Sequence, residues 1–301
     1  MKTFISLSAL FLSLSLTAQS NPATWYLNDT SGNGIQSPTN IASGSVSVAM
    51  GIGTTASGKY STAMGVETIA SGKRSTAMGE GTIASGDFST AKGRNTTASG
   101  YNSTVMGLFA EASGDTSTAM GQGTIASDYL SFIVGKHNLA GSTVTSSANQ
   151  FSLDNTAFVI GNGTASNNRS DALTVLFDGT TTIAGDLNVN SDARLKANIV
   201  SLGSTLAKLL QIDGKSYTIK KDDSEKQKIG LLAQDIEKVF PELVSKSHGI
   251  KSVNYQGLVP VLINALKEQD AMMKVQDNRL SKQQIEIDEL KMMLKTLIEK
   301  T

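Results

Sequence analysis

Residues 41–138 repeat with a period of 14, seven times in succession and without an insertion. In the third copy, residues 69–82, Ala stands second, Gly fourth, Ser seventh and Gly eleventh. The same residues keep these positions in every copy, except that Asp128 replaces the first Gly in the seventh. A short fixed period is typical of a solenoid, in which each repeat contacts only its neighbours. The period therefore argues against a globular enzyme core in this half of the chain.

Each repeat also divides into two similar halves of seven residues. We predict one short strand per half, closed by a Gly that can adopt positive φ at the corner. Alternation along the strand places Ser75, Ala77 and Gly79 on one face and Thr76 and Met78 on the other. We expect the face of small residues to fill a narrow interior and the Thr/Met face to point outward.

An interior lined by Ala, Gly and Ser buries little apolar surface within one chain. The outward face carries Met at the tenth position in five of the seven copies, a series that comprises Met50, Met64, Met78, Met106 and Met120. Such an apolar row is unusual on the surface of a monomer. Both features predict that the repeats pack against copies of themselves.

The seven in-phase copies resemble the head repeat of trimeric autotransporter adhesins of the YadA type. The resemblance implies a left-handed parallel β-roll that assembles as a homotrimer and adheres to a surface glycan or matrix ligand. Two other interpretations stay open: a spacer without a ligand, and an ice- or glycan-binding array of Thr hydroxyls. Val48 and Phe132 interrupt the Thr column that such an array requires. A calcium-binding roll is not expected, because its Gly-Gly-x-Gly-x-Asp pattern is absent.

The amino terminus has the pattern of a secretory signal. Lys2 precedes an apolar run over residues 4–16, and residues 17–20 read Thr-Ala-Gln-Ser. We predict a signal peptide over residues 1–18, too short to span a membrane, and no transmembrane segment in the mature chain. The chain has no cysteine and therefore no disulfide framework. These features predict an exported bacterial protein, secreted or at the cell surface.

Charge divides the chain at about residue 190. The formal net charge is zero, which argues against nucleic acid as a partner. Residues 1–190 hold 8 Lys/Arg and 11 Asp/Glu, whereas residues 191–301 hold 18 and 15.

Between the repeats and this boundary, strands are predicted over residues 157–160, 172–177 and 181–184. We interpret residues 139–190 as a β-rich neck.

A second motif begins at the boundary. Residues 191–199 read Ser-Asp-Ala-Arg-Leu-Lys-Ala-Asn-Ile, and a Gly-x-x-Ala-Gln-x-x-x-x-x-x-Pro-Glu-x-Val pattern follows over residues 230–244. A helix-like segment over 202–212 and a strand over 215–219 lie between them. The two signatures resemble the S74-type intramolecular chaperone of phage endosialidases and tail fibres. We assign residues 191–262 to such a domain. Asn254 departs from the acidic residue more often found before the Tyr.

The resemblance implies self-cleavage of the bond Asn190–Ser191 by a Ser/Lys dyad, which falls on Ser191 and Lys196. A Ser hydroxyl needs a base within hydrogen-bond reach, and Lys can serve where burial or nearby cations favour its neutral form. Asp192, Arg194 and Asn198 are candidates to orient the loop or to hold the oxyanion. The alternative is that Ser191 and Asp192 only cap a helix and Lys196 is solvated. Neither a cofactor nor a metal site is expected.

The last segment, residues 263–301, has a heptad pattern. One core position recurs at Leu266, Met273, Leu280, Ile287 and Leu294, and the other at Gln269, Gln276, Gln283, Leu290 and Leu297. Five heptads predict a trimeric coiled coil, although one face of a globular helix is an alternative. Gln in the core weakens packing and can specify register and strand number.

Together these patterns predict a mainly β amino-terminal half, an α+β chaperone domain and a carboxy-terminal coiled coil. The function they favour is a homotrimeric, adhesin-like fibre whose chaperone drives trimer folding and then cuts itself off. A non-cleaving adhesin with a permanent trimerisation domain is the alternative.

Overall fold

The computed structural model describes residues 26–27, 35–36, 39–141, 148–220 and 226–299. The chain divides into two compact units, residues 1–188 and 189–301. The signal peptide predicted over residues 1–18 lies outside the described residues.

The repeats form a parallel β-solenoid with one long and one short strand per coil, so the predicted fold class is confirmed. The long strands are Val48–Ile52, Thr62–Val66, Thr76–Glu80, Thr90–Arg94, Thr104–Leu108, Thr118–Gln122 and Phe132–Lys136. The short strands are Thr55–Ala56, Ile69–Ala70, Ile83–Ala84, Thr97–Ala98, Glu111–Ala112 and Ile125–Ala126. Before the first coil, Tyr26–Leu27 pairs antiparallel with Ile35–Gln36, which joins the long sheet.

Neighbouring coils pair in register with a shift of one repeat, so that like residues stack. Ala63 faces Ala77, Met64 faces Met78 and Gly65 faces Gly79. Two columns of Ala with no solvent exposure run through the interior, and Val105 and Ile133 replace Ala in one of them in the fifth and seventh coils. Ser75 is also buried, whereas Met78 is 36% exposed. The predicted division into an inner face of small residues and an outer Thr/Met face is therefore confirmed.

The predicted role of the glycines is only partly correct. Gly79 has φ +129°, but Gly72, at the fourth position, is not in the left-handed region. The left-handed corners fall instead at the sixth and thirteenth positions, where Arg74 (φ 58°) and Glu67 (φ 52°) are examples without glycine. Their backbone N–H groups donate to the preceding coil, as Arg74 N does to the Lys59 carbonyl at 2.8 Å. These inter-coil bonds offset the cost of the left-handed conformation.

Close approach between coils explains why glycine recurs at the fourth and eleventh positions of the repeat. A Cβ atom added to Gly72 would lie 2.0 Å from the carbonyl oxygen of Gly86 in the next coil. At the eleventh position, a Cβ on Gly79 would lie 1.9 Å from the Gly93 carbonyl oxygen. A real Cβ cannot approach backbone so closely, so coil stacking itself requires glycine at both positions.

Polar side chains terminate the solenoid and join it to the neck. Asp128 occupies the fourth position of the last coil, where no further coil has to stack, and its Oδ2 accepts a hydrogen bond from Thr156 N at 2.9 Å. Asn138 occupies the fourteenth position, and its amide bonds to both the N–H and the carbonyl of Ile125. Strand Thr156–Asn162 then extends the long sheet in parallel, followed by antiparallel strands Asp171–Leu176 and Thr181–Ile183.

The second unit combines small hairpins with one long helix. Strand Lys215–Tyr217 pairs with Lys228–Gly230, and Val244–Ser247 pairs with Ile250–Val253. The helices are Leu206–Leu209, Ala233–Val239 and Leu258–Ile298, with 3-10 turns at Ala193–Leu195 and Pro241–Leu243. The helix predicted over 202–212 is thus confined to one turn. The small core is formed by Ile236, Phe240 and Val261, which are all buried.

Within the described residues, no helix is both long enough and apolar enough to cross a membrane.

Candidate self-cleavage site

The two residues predicted to form the dyad are in direct contact. Lys196 Nζ donates a hydrogen bond to Ser191 Oγ at 2.7 Å. The 3-10 turn Ala193–Leu195 reverses the chain between them, which brings side chains five residues apart onto the same side of the loop. The 2.7 Å separation is within the reach that a hydroxyl nucleophile and an amine base require.

Asp192 and Arg194 brace the same loop. Asp192 Oδ1 accepts from Arg194 N at 2.9 Å and so caps the 3-10 turn. Its carboxylate also pairs with the Arg194 guanidinium, with Nη2 to Oδ2 at 2.7 Å. The hydrogen bonds from Arg194 lower the pKa of Asp192, and Asp192 in turn raises the pKa of Arg194. Arg194 Nε and Nη2 thus both bond to the Asp192 carboxylate within the loop.

Asn190 and Asn198 flank the dyad in the chain. Asn198 has φ 53°, a left-handed conformation that Asn tolerates better than most residues, and it ends the motif with a change of chain direction. Among the described residues, its side chain makes no hydrogen bond to Ser191 or Lys196. Asn190 is exposed, so the bond Asn190–Ser191 is accessible.

The dyad is open to solvent within a single chain, because every residue from 185 to 204 is exposed. An ammonium that donates to Ser191 cannot accept its proton until it has lost one of its own. Burial disfavours the charged form of an amine, and exposure to water does not. In the single chain, Ser191 and Lys196 are therefore in contact while both are exposed to solvent.

The downstream end of this segment is tied to the long helix by side chains that the sequence analysis did not single out. Glu268 Oε1 accepts from the backbone N–H groups of Thr205 and Leu206, the latter at 3.3 Å. The buried Thr205 donates its hydroxyl to the Val261 carbonyl at 2.9 Å, and Asn264 Nδ2 donates to the Gly203 carbonyl at 3.2 Å. These partners are about 60 residues apart, so no local spacing could have indicated them.

The long helix leaves its heptad face uncovered by its own chain. Leu266, Met273, Leu280, Ile287 and Leu294 are between 46% and 63% exposed. A stripe of large apolar side chains at seven-residue spacing is typical of a helix that packs against other helices. This arrangement of the residues is what the coiled-coil prediction requires.

Comparison with known families gives matches in two separate parts of the chain. Residues 42–68, 70–96 and 98–124 each match the YadA head domain repeat, in two copies per match. Residues 191–245 match the peptidase S74 family, described as the chaperone of endosialidase. Both resemblances are confirmed, in the expected order along the chain.

Curated relatives of this chain include two phage tail-fibre proteins. The long tail fiber protein Gp37 of Salmonella phage S16 is 36% identical over 83 residues, which cover 24% of this chain and 11% of the relative. The protein of the same description from Escherichia phage AR1 is 31% identical over 100 residues, which cover 30% of this chain and 9% of the relative. The chain thus spans about a tenth of the length of these relatives.

Proposed function

We propose that the protein is a homotrimeric fibre whose S74-type domain drives trimer folding and then cleaves the bond Asn190–Ser191. The observation that carries the proposal is the 2.7 Å contact between Lys196 Nζ and Ser191 Oγ. This contact lies at the start of residues 191–245, which match the chaperone of endosialidase, and its position there supports the same proposal.

The chemistry follows from the position of the nucleophile directly after the bond to be cut. Lys196, as a free amine, accepts the Ser191 hydroxyl proton while Oγ attacks the Asn190 carbonyl carbon. The C–N bond then breaks, and the Ser191 nitrogen leaves as an amine after it takes up a proton. The resulting ester joins Asn190 to Ser191 Oγ, and water hydrolyses it to a carboxylate and a regenerated hydroxyl.

Assembly supplies the condition that the single chain lacks. Packing of three helices along the heptad face brings three S74-type segments together. Burial of Lys196 against a neighbouring copy favours the neutral amine and so starts the reaction. Cleavage then reports correct assembly, because an unassembled chain keeps Lys196 in water.

Adhesion is the role proposed for the head. Its coils stack like residues at constant spacing, and the outer surface that a trimer leaves exposed offers repeated contacts to a surface glycan or matrix polymer. Export through an amino-terminal signal over residues 1–18 is part of the same proposal.

The test is the identity of the new amino terminus. Full-length protein is separated by size, and the trimer fraction is analysed by denaturing gel and terminal sequencing. We expect a fragment that begins at Ser191 and is absent from Lys196→Arg, which keeps the cation but provides no accessible base. The neighbouring Ser201→Ala is the matched control and should cleave normally. A full-length trimer would instead favour a permanent trimerisation domain.

A further inference from the structure

The dyad loop, residues 191–199, makes its side-chain hydrogen bonds within itself. The Lys196–Ser191 contact and the Asp192–Arg194 pair both lie inside it. In the described part of residues 189–301, the side-chain hydrogen bonds that tie residues 189–206 to other elements run from residues 203–206 to the long helix. We call these four bonds the Glu268 clamp, after the side chain that makes two of them.

The clamp uses the opposite side of the helix from the heptad face. Counting from Leu266 as the first core position, Val261 and Glu268 fall at the third position of their heptads and Asn264 at the sixth. Both positions point away from the core of a coiled coil. One helix can therefore pack against its copies through one side and hold the dyad segment with the other.

We infer that Glu268 is a positioning residue for self-cleavage, through which assembly of the long helices sets the location of the Ser191–Lys196 loop. This inference rests on the proposed cleavage and names how it is controlled. Glu268 is partly buried, and a carboxylate that accepts two backbone N–H bonds forms the stronger, charge-assisted kind of hydrogen bond. Thr205, which is 2% exposed, adds a buried bond to the same anchor.

A chain that lacks the Glu268 clamp should therefore still assemble as a trimer but cleave more slowly. Without it, residues 203–206 are no longer held to the long helix by these side-chain bonds, and Lys196 no longer reaches the same place in each copy. Small displacements of a base from its nucleophile are costly in rate.

The experiment compares cleavage rates of full-length trimers formed from Glu268→Ala, Glu268→Gln and Glu289→Ala. Glu268→Ala should assemble but cleave more slowly, by about tenfold or more. Glu268→Gln keeps an acceptor oxygen and should retain most of the rate. Glu289→Ala changes the same heptad position three heptads later and should match the wild type. Wild-type cleavage by the Glu268→Ala trimer, or failure of this variant to form a trimer, would overturn the positioning role.

A second measurement separates this inference from the cleavage proposal. In trimers that carry Ser191→Ala, amide hydrogen exchange is followed for residues 191–206 with and without Glu268→Ala. Faster exchange at Thr205 and Leu206 in the double variant is expected, whether or not the wild type cleaves. Unchanged exchange would show that there is no clamp in the assembled protein, whereas an uncleaved wild type would overturn the proposed function.

Discussion

Gly79 and Gly93 lie so close across adjacent coils that a Cβ on the first would stand 1.9 Å from the carbonyl oxygen of the second. The same contact recurs at each eleventh position along the solenoid, as at Gly107 and Gly121. Stacking of the coils is thus limited by backbone rather than by side chains.

We predict that Gly79→Ala destabilises the head by about 2–4 kcal/mol, because the ladder must open locally to admit one methyl group. Unfolding in denaturant measures the change. Gly53→Asn is the matched control: its φ is +64°, its nearest neighbour would lie 3.7 Å away, and Asn95 already occupies the equivalent position. Equal stability of the two variants would contradict the stacking account.

The surroundings of His137 in the folded chain disfavour its charged form. The residue is 9% exposed, and burial, followed by the charges of Arg169 and Lys136, lowers its pKa. The unfolded chain therefore binds the proton more readily than the folded chain does. The stabilisation from neutral His137 is fully present above the ordinary histidine pKa of about 6.5. It is lost as the pH falls below that value.

We expect the melting temperature of the head to fall between pH 7 and pH 5 in the wild type. His137→Asn should flatten this dependence, since Asn95 shows that Asn fits the same left-handed corner. An identical pH profile in the variant would exclude His137 as the source.

Lys92 interrupts the Met row between Met78 and Met106, with which it pairs in register. If this row packs against other copies, the ammonium group there costs desolvation that a methionine would avoid. Lys92→Met should stabilise the trimer by about 1 kcal/mol per chain. Lys59→Met, at a corner outside the row, is the control for thermal unfolding. A gain in the control alone would mean that the row does not form the interface.

Substitution of Ile287 tests whether the heptad face forms the core of the trimer. Ile287→Asn removes an apolar side chain from the predicted core and should cost about 2–4 kcal/mol per chain, enough to dissociate the trimer at micromolar concentration. Cleavage should be lost with it. Glu289→Asn, on the outer side of the helix, should leave the sedimentation mass unchanged. A trimer of Ile287→Asn would require another assembly surface.

Prediction from sequence succeeded where one period governs the structure. The alternation of Ser75 and Ala77 with Thr76 and Met78 gave the inner and outer faces directly, because adjacent coils stack identical residues. The role of Gly72 was misassigned, since its constraint comes from the next coil rather than from its own φ. The Glu268–Thr205 contact was missed because it joins residues 63 apart and follows no repeat.

Self-cleavage depends most directly on the Ser191–Lys196 pair, and intact mass under denaturing conditions tests it in one measurement. Purified wild-type trimer should yield two masses, one for a piece that ends at Asn190 and one for residues 191–301. Ser191→Ala should yield a single full-length mass and still sediment as a trimer, because the long helix is unchanged. A wild-type trimer of full-length chains would contradict self-cleavage, and cleavage that persists in Ser191→Ala would exclude this serine as the nucleophile.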